Sequence, residues 1–503
     1  MSLCRTAVPA AALAAAFALS GCVLKSPPRS IPADPPAAAA VYVERIARID
    51  DQWPRLNAVI AYDPDAAAKS LAAAGHGPLD GRTVLVKDNI ETREWPTTAG
   101  SLALADNRPG RDAPLVARLR AAGGVVIGKA NLSEWANIRS DNSTSGWSAV
   151  GGLTKNAHAT DRNACGSSSG SAVAVAADLT WAAIGTETNG SITCPASVNG
   201  IVGFKPTVGL VSRTHVIPIS GTQDTAGPMA RTVADAALLL TAIAGSDPAD
   251  PATSQADARI TDFTRGLDTA SLEGVRIGVL RRQVGPNPNV TKLFEQALAD
   301  LKRAGAVLVD VEHSWPEGFW DRSLTVLLFE LRRDMDAYLA TLPGEAMPKT
   351  LADIVAFNRA HAETEMRWFG QDLFEQALTT TDEAAYRSAL ETNLKATREE
   401  GIDRLLAKHN VALLVAPTTG PAWASDLVHG DHYPGGIGGG SLAAIAGYPH
   451  LTVPMGAIEQ LPVGISFMGA RWQDHALLKA GAAYERARSA DLPEATLGDW
   501  NPR

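Results

Sequence analysis

The sequence predicts an α/β protein, and three observations carry that expectation. Short apolar runs of β-type residues alternate with helical patterns from residue 41 onward, glycine and proline are frequent at 44 and 31, and only 20% of the residues are charged. With 503 residues, 46% of them hydrophobic, the chain can bury a large core and is too weakly charged to stay disordered. A net charge of −9 and the lack of a basic run speak against a nucleic-acid partner. Four cysteines, none spaced CxxC, exclude a disulfide framework and a structural zinc site, and no metal or cofactor is expected.

The N-terminus comes first. Residues 1–22 read MSLCRTAVPAAALAAAFALSGC, with Arg5 ahead of an apolar run over residues 7–19 and small residues after it. That is a signal-peptide pattern, and the run is shorter than the ~20 residues that span a bilayer. The segment Leu19-Ser20-Gly21-Cys22 resembles a bacterial lipobox. The expectation is a cleaved signal peptide over 1–21, an acylated Cys22 followed by a Pro/Ala-rich tether over 22–40, and a folded body over 41–503. Such a protein is an exported lipoprotein of the periplasm or cell envelope that meets the membrane through its lipid only.

In the body, strand patterns at 82–86 and 125–127 flank a helical pattern at 113–123. A second strand–helix–strand unit follows at 275–280, 290–304 and 306–311. Between the two, residues 245–258 are polar and proline-bearing, which reads as a surface loop. Residues 320–409 are helical in pattern, with Leu324, Leu327, Leu328 and Leu331 at helical spacing. The strand rhythm resumes at 411–415, so the helical block is expected to be an added lid or pocket wall.

The chemistry is concentrated in residues 163–206. Two serine-glycine clusters stand there, Gly166-Ser167-Ser168-Ser169-Gly170 and Thr188-Asn189-Gly190-Ser191. A serine-glycine run alone reads as a linker, but the AVAVAA of residues 172–177 belongs in an interior, so the clusters are held against the core. Buried polar loops must satisfy their own backbone groups, and proteins tolerate that mainly for function. The first cluster also fits the G-x-S-x-G nucleophile elbow centred on Ser168. That match fails, because residues 157–165 (AHATDRNAC) are not the strong strand an elbow requires. His361 and Glu363 lack the partners of a zinc site and read as a solvated helix face.

Further ordered blocks accompany these clusters. They are DGRTVLVKDNIET around Lys87, PTTAGSLAL at 96–104, GKANLSEWAN at 128–137, GGLTKN at 151–156, QDTAGPMARTVADAALLL at 223–240 and AGYPHLTVPMG at 446–456. With them the sequence resembles the amidase signature family of serine amidohydrolases, and most of all its peptide amidase branch. The resemblance implies a single α/β/α unit on a central mixed sheet, and a catalytic triad of Lys87, Ser167 and Ser191. Ser191 is then the nucleophile, Ser167 a bridging serine after a cis Gly166–Ser167 bond, and Lys87 the base, with Ser168 in support. The backbone N–H groups of Thr188, Asn189, Gly190 and Ser191 form the implied oxyanion hole. A serine hydroxyl needs a base within reach, and a lysine serves only when burial lowers its pKa of about 10.4. Lys87 ends the apolar run 83–86, a setting that suits desolvation.

The implied substrate is a small amide or a peptide amide, hydrolysed by a monomer or small homo-oligomer without a cofactor. The alternatives are a general amidase and a glutaminase-type amidotransferase subunit. Asn189 and Thr193 depart from the family's frequent glycine or aspartate and arginine, which leaves substrate preference open. Cys165 and Cys194 flank the two serines, either as free buried thiols or, in an oxidising compartment, as a pair. The helical block is expected to wall a funnel for a chain end, above a closed floor at Thr193 and Cys194.

Overall fold

The strand Thr83–Lys87 sends Val84 and Val86 into one apolar cluster and Leu85 into another, so the sheet it belongs to is covered on both faces. The structure, a computed structural model, describes residues 31–433 and 435–502. The strands are β1 (Val59–Tyr62), β2 (Thr83–Lys87), β3 (Val125–Ala130), β4 (Trp147–Ser148), β5 (Gly152–Leu153), β6 (Ala182–Glu187), β7 (Val202–Lys205), β8 (Thr225–Ala230), β9 (Arg276–Leu280), β10 (Val307–Val311), β11 (Leu413–Pro417), β12 (His450–Ile458) and β13 (Leu461–Met468). All but the small β4–β5 ribbon join one 11-stranded sheet in the order β1-β3-β2-β6-β8-β7-β12-β13-β11-β9-β10.

The sheet is mixed in a regular way. β3, β2 and β6 run parallel on one side, and β11, β9 and β10 run parallel on the other. The strands between these triplets pair antiparallel, as does β1 at the edge. Parallel neighbours need crossovers, and the helices Pro114–Ala121 and Pro288–Arg303 supply them between β2 and β3 and between β9 and β10. One face carries those two helices with Val233–Ile243 and Asp474–Ala487; the other carries Pro35–Arg45 and Ser169–Ala176. The α/β/α layering expected from the resemblance is therefore present.

Three expectations change. The fold begins before residue 41: Asp34 caps the helix Pro35–Arg45, and Ala38 and Ala39 are buried, so the end of the tether belongs to the body. The proline-bearing stretch at 245–258 is more than a surface loop, since Asp250 pairs with Arg213 and the short helix Pro251–Ala258 buries Thr253 and Ala256. The block 320–409 is helical as expected, from Phe319–Ala340 to Asp403–His409. It packs Leu331, Leu339 and Phe374 onto Ala99, Trp135 and Ile217, where it buttresses the loops beside the sheet. Residues 1–30, including the expected signal peptide and Cys22, lie outside the described residues. No helix of the described residues is long and apolar enough to cross a membrane.

Candidate active site

Strand alternation sets the position of Lys87. Leu85 faces the cluster that holds Ala172–Val175 of the helix Ser169–Ala176, and Lys87, two residues on, shares that face. The helix is preceded by Ser167 and Ser168, so the lysine meets the first serine cluster. Lys87 is fully buried, and its Nζ donates to Ser167 Oγ at 2.7 Å, to Thr186 Oγ1 at 2.8 Å and to Thr186 O at 3.3 Å. Among the described residues no carboxylate pairs with it. Burial lowers its pKa to about 7, against the opposing charges of Asp224 and Glu187.

Ser167 and Ser168 are both fully buried, and the Gly166–Ser167 bond is cis, as the resemblance implies. Ser168 Oγ donates to Thr186 O at 3.0 Å and accepts from Thr186 N at 3.2 Å, so it braces β6, whose Thr186 accepts from Lys87, rather than touching the lysine. Gly185 permits this approach: a Cβ there would stand 2.8 Å from Ser168 Oγ. The Ser168 N–H donates to Ser191 O at 3.0 Å and ties the two clusters together. Ser191 itself is half-buried, and its hydroxyl bonds to no described residue. The structure thus joins Lys87 to Ser167 directly and brings Ser191 beside them through main chain.

The second cluster turns at Gly190, whose φ of +82° is a left-handed value that suits glycine. The N–H groups of Thr188, Asn189, Gly190 and Ser191 donate to no described residue, so they are free to meet an oxygen. Glu187 holds the next turn, accepting from the N–H groups of Ile192 at 2.8 Å and Thr193 at 3.0 Å. Thr188 Oγ1 donates to Asp224 at 2.6 Å, and Ser441 Oγ donates to Asn189 Oδ1 at 3.1 Å. Cys165 and Cys194 form a disulfide that joins the residue before Gly166 to the helix after Ser191. Local sequence left that pair open, because a separation of 29 positions says nothing of where their side chains lie.

A cleft of about 400 Å³ opens at this loop, lined by Asn189, Gly190, Thr193, Cys194, Trp423 and Tyr433 among others. Those two rings meet edge to face at 5.3 Å. Thr193 and Cys194 line the cleft as expected. The helical block does not: no lining residue falls between 320 and 409, and the block instead borders a separate space beside Asp334 and Tyr338. His450 lines the cleft too, bonded through Nε2 to Ser466 Oγ at 2.6 Å, and burial lowers its pKa to about 4, which keeps it neutral.

A family model described as Amidase matches residues 38–478. The chain belongs to the amidase family. This amidase is 37% identical to a probable amidase of Arabidopsis thaliana, over 89% of its own length and 85% of the relative's. It is 34% identical to a glutamyl-tRNA(Gln) amidotransferase subunit from Chloroflexus aurantiacus, over 88% and 91% of the two chains. Among solved structures it is similar to the native peptide amidase from Stenotrophomonas maltophilia, with a TM-score of 0.86 at 48% identity over 92% and 95% of the chains. A peptide amidase in complex with the competitive inhibitor chymostatin gives 0.87 at 49% identity, over 92% and 96%. The amidase is thus a hydrolase acting on amides. Sequence reasoning missed Thr186, Glu187 and Asp224 in its site, although the first two stand directly before Thr188-Asn189-Gly190-Ser191 and Asp224 lies in the QDTAGP block.

Proposed function

We propose that this amidase works through an acyl-enzyme on Ser191, with Ser167 and Lys87 as its proton relay, and that it removes C-terminal amides from short peptides. The observation that carries the relay is the 2.7 Å hydrogen bond between Lys87 and Ser167, fully buried beneath an accessible Ser191. Neutral Lys87 takes the hydroxyl proton of Ser167 as Ser167 takes that of Ser191, and Ser191 Oγ bonds to the amide carbon. The N–H groups of Thr188, Asn189, Gly190 and Ser191 then hold the oxyanion. The proton returns through Ser167 to the leaving nitrogen, ammonia departs, and water attacks the ester by the reverse transfers.

The substrate class is supported by the likeness to peptide amidases across 92% of the chain. A floor of Thr193 and Cys194 suits a small leaving group, and Trp423 and Tyr433 offer apolar surface to residues upstream of the amide. Binding energy from those residues raises kcat/KM when it is realised in the transition state. A dipeptide amide should therefore exceed acetamide by more than about tenfold, ~1.4 kcal/mol. Equal kcat/KM for the two leaves a general amidase in place of a peptide amidase.

We place the enzyme outside the cytoplasm, anchored by an acylated Cys22. The disulfide between Cys165 and Cys194 supports an oxidising compartment. Cys22→Ala should move the protein from the membrane fraction to the soluble fraction; unchanged membrane retention contradicts the lipid anchor.

A further inference from the structure

A second and much smaller cavity, about 10 Å³, lies beside Thr186 and is lined by Asn89, Thr188, Arg213, Val216 and Asp224 among others. A space of about that size admits one water molecule where polar partners surround it. Asn89, two residues after Lys87, is 4% exposed and donates Nδ2 to Thr186 Oγ1 at 3.0 Å. Its Oδ1 is buried and has no hydrogen-bond partner. Thr186 Oγ1 already accepts from Lys87 Nζ and from Asn89 Nδ2, so both of its lone pairs are used and its own O–H is left to donate. The Asp224 carboxylate accepts from Thr188 Oγ1 at 2.6 Å, Ile219 N at 2.7 Å and Ser220 N at 2.8 Å, which leaves it acceptor capacity.

We propose that this cavity binds one water, accepting from the Thr186 hydroxyl and donating to Asn89 Oδ1 and the Asp224 carboxylate, and that the water is a proton path between buried Lys87 and solvent. It rests on the reading of Lys87 as the catalytic base. Three bonds are the usual complement of a buried water. Arg213, Val216 and Asp224 also line an outer cavity of about 410 Å³, so the path ends at an open space other than the substrate cleft.

The transfer balances along the chain of bonds. Protonated Lys87 gives one N–H proton to Thr186 Oγ1, Thr186 passes its hydroxyl proton to the water, and the water passes one to Asp224. An ammonium and a carboxylate become an amine and a carboxylic acid, and the reverse shift restores them. Burial pushes Asp224 up to about 6, close to the value of about 7 for Lys87, so the proton can rest at either end. Glu187 faces Lys87, and Arg213 faces Asp224, as the other charges of the path.

A crystal structure of the wild-type enzyme that orders its solvent should show one water bonded to Asn89 Oδ1, Thr186 Oγ1 and Asp224; a dry cavity overturns the proposal. Val216→Leu adds apolar volume near the ~30 Å³ share of a water and should expel it. The acid limb of kcat/KM then moves to lower pH by about half a unit, because charged Lys87 loses its link to the carboxylate, while KM stays within about twofold. A water present in the wild type and expelled from Val216→Leu with the limb unmoved also overturns it. Should Val216→Leu fail to fold, the wild-type solvent structure decides alone. A wild-type enzyme that hydrolyses no amide contradicts the catalytic reading and leaves the crystallographic result to judge the water.

Discussion

Two lysines on neighbouring strands, Lys87 ending β2 and Lys129 near the end of β3, are equally buried and do different things. Lys129 Nζ lies 3.1 Å from the Asp88 carboxylate and also donates to Ile90 O at 2.6 Å and Thr97 Oγ1 at 2.9 Å. Burial lowers Lys129 and raises Asp88, and each charge opposes the shift of the other, so the pair is a structural ion pair. Lys87 has only hydroxyl and carbonyl oxygens in contact, and its charged form is left without a counter-ion at bonding distance. Burial alone does not make a base of a lysine; in the relay we propose, Lys87 is buried among neutral partners with the Ser167 hydroxyl in reach.

Substitution separates the two most strongly. Lys87→Met should lower kcat/KM by about a thousandfold or more while the fold persists. Lys129→Met leaves Asp88 buried and unpaired, and should cost about 3–5 kcal/mol of stability, with kcat of the folded fraction within a few-fold of wild type. Chemical denaturation with parallel kinetics reads both, and equal loss of activity in the two variants breaks the distinction.

The stability of the Lys87 variant sharpens it. The folded value of about 7 lies below the unfolded lysine's ~10.4, so between those pH values the unfolded chain binds a proton that the folded chain does not. Stability therefore falls as pH falls through that window and the penalty is constant below about 7. Lys87→Met removes the penalty and should be more stable than wild type at pH 6, by a few kcal/mol at most; a less stable variant contradicts it.

A smaller effect belongs to the staple between the two serine loops. Reduction of Cys165–Cys194, which closes a separation of 29 residues, should lower stability by about 3 kcal/mol while activity survives at low temperature. Denaturation with and without a thiol reductant checks this.

How much could be read from the sequence follows the range of the interaction. β2, β3, β9 and β10 announce themselves as apolar runs, and Ser167 and Ser191 as small-residue clusters beside an interior helix. The bond that matters most, Lys87 to Ser167, spans 80 positions and entered only through resemblance to a family. Asp224 reaches Thr188 across 36 positions, and Asn89 reaches Thr186 across 97; no local pattern marks such partners. The helical block was legible as helix but not as buttress, because its apolar stripe does not say which loops it will cover. The early start at Pro35 was hidden by a run of proline and alanine that serves a tether and a first helical turn equally well.

The direct test of Lys87 as a neutral base is the pH dependence of single-turnover acylation by an activated ester, with the adduct located by peptide mass spectrometry. The account predicts an adduct on Ser191 and an acylation rate that falls about tenfold per pH unit below an apparent pKa near 7, as protonation removes the base. An adduct elsewhere, or a rate that stays flat from neutral down to about pH 5, contradicts it.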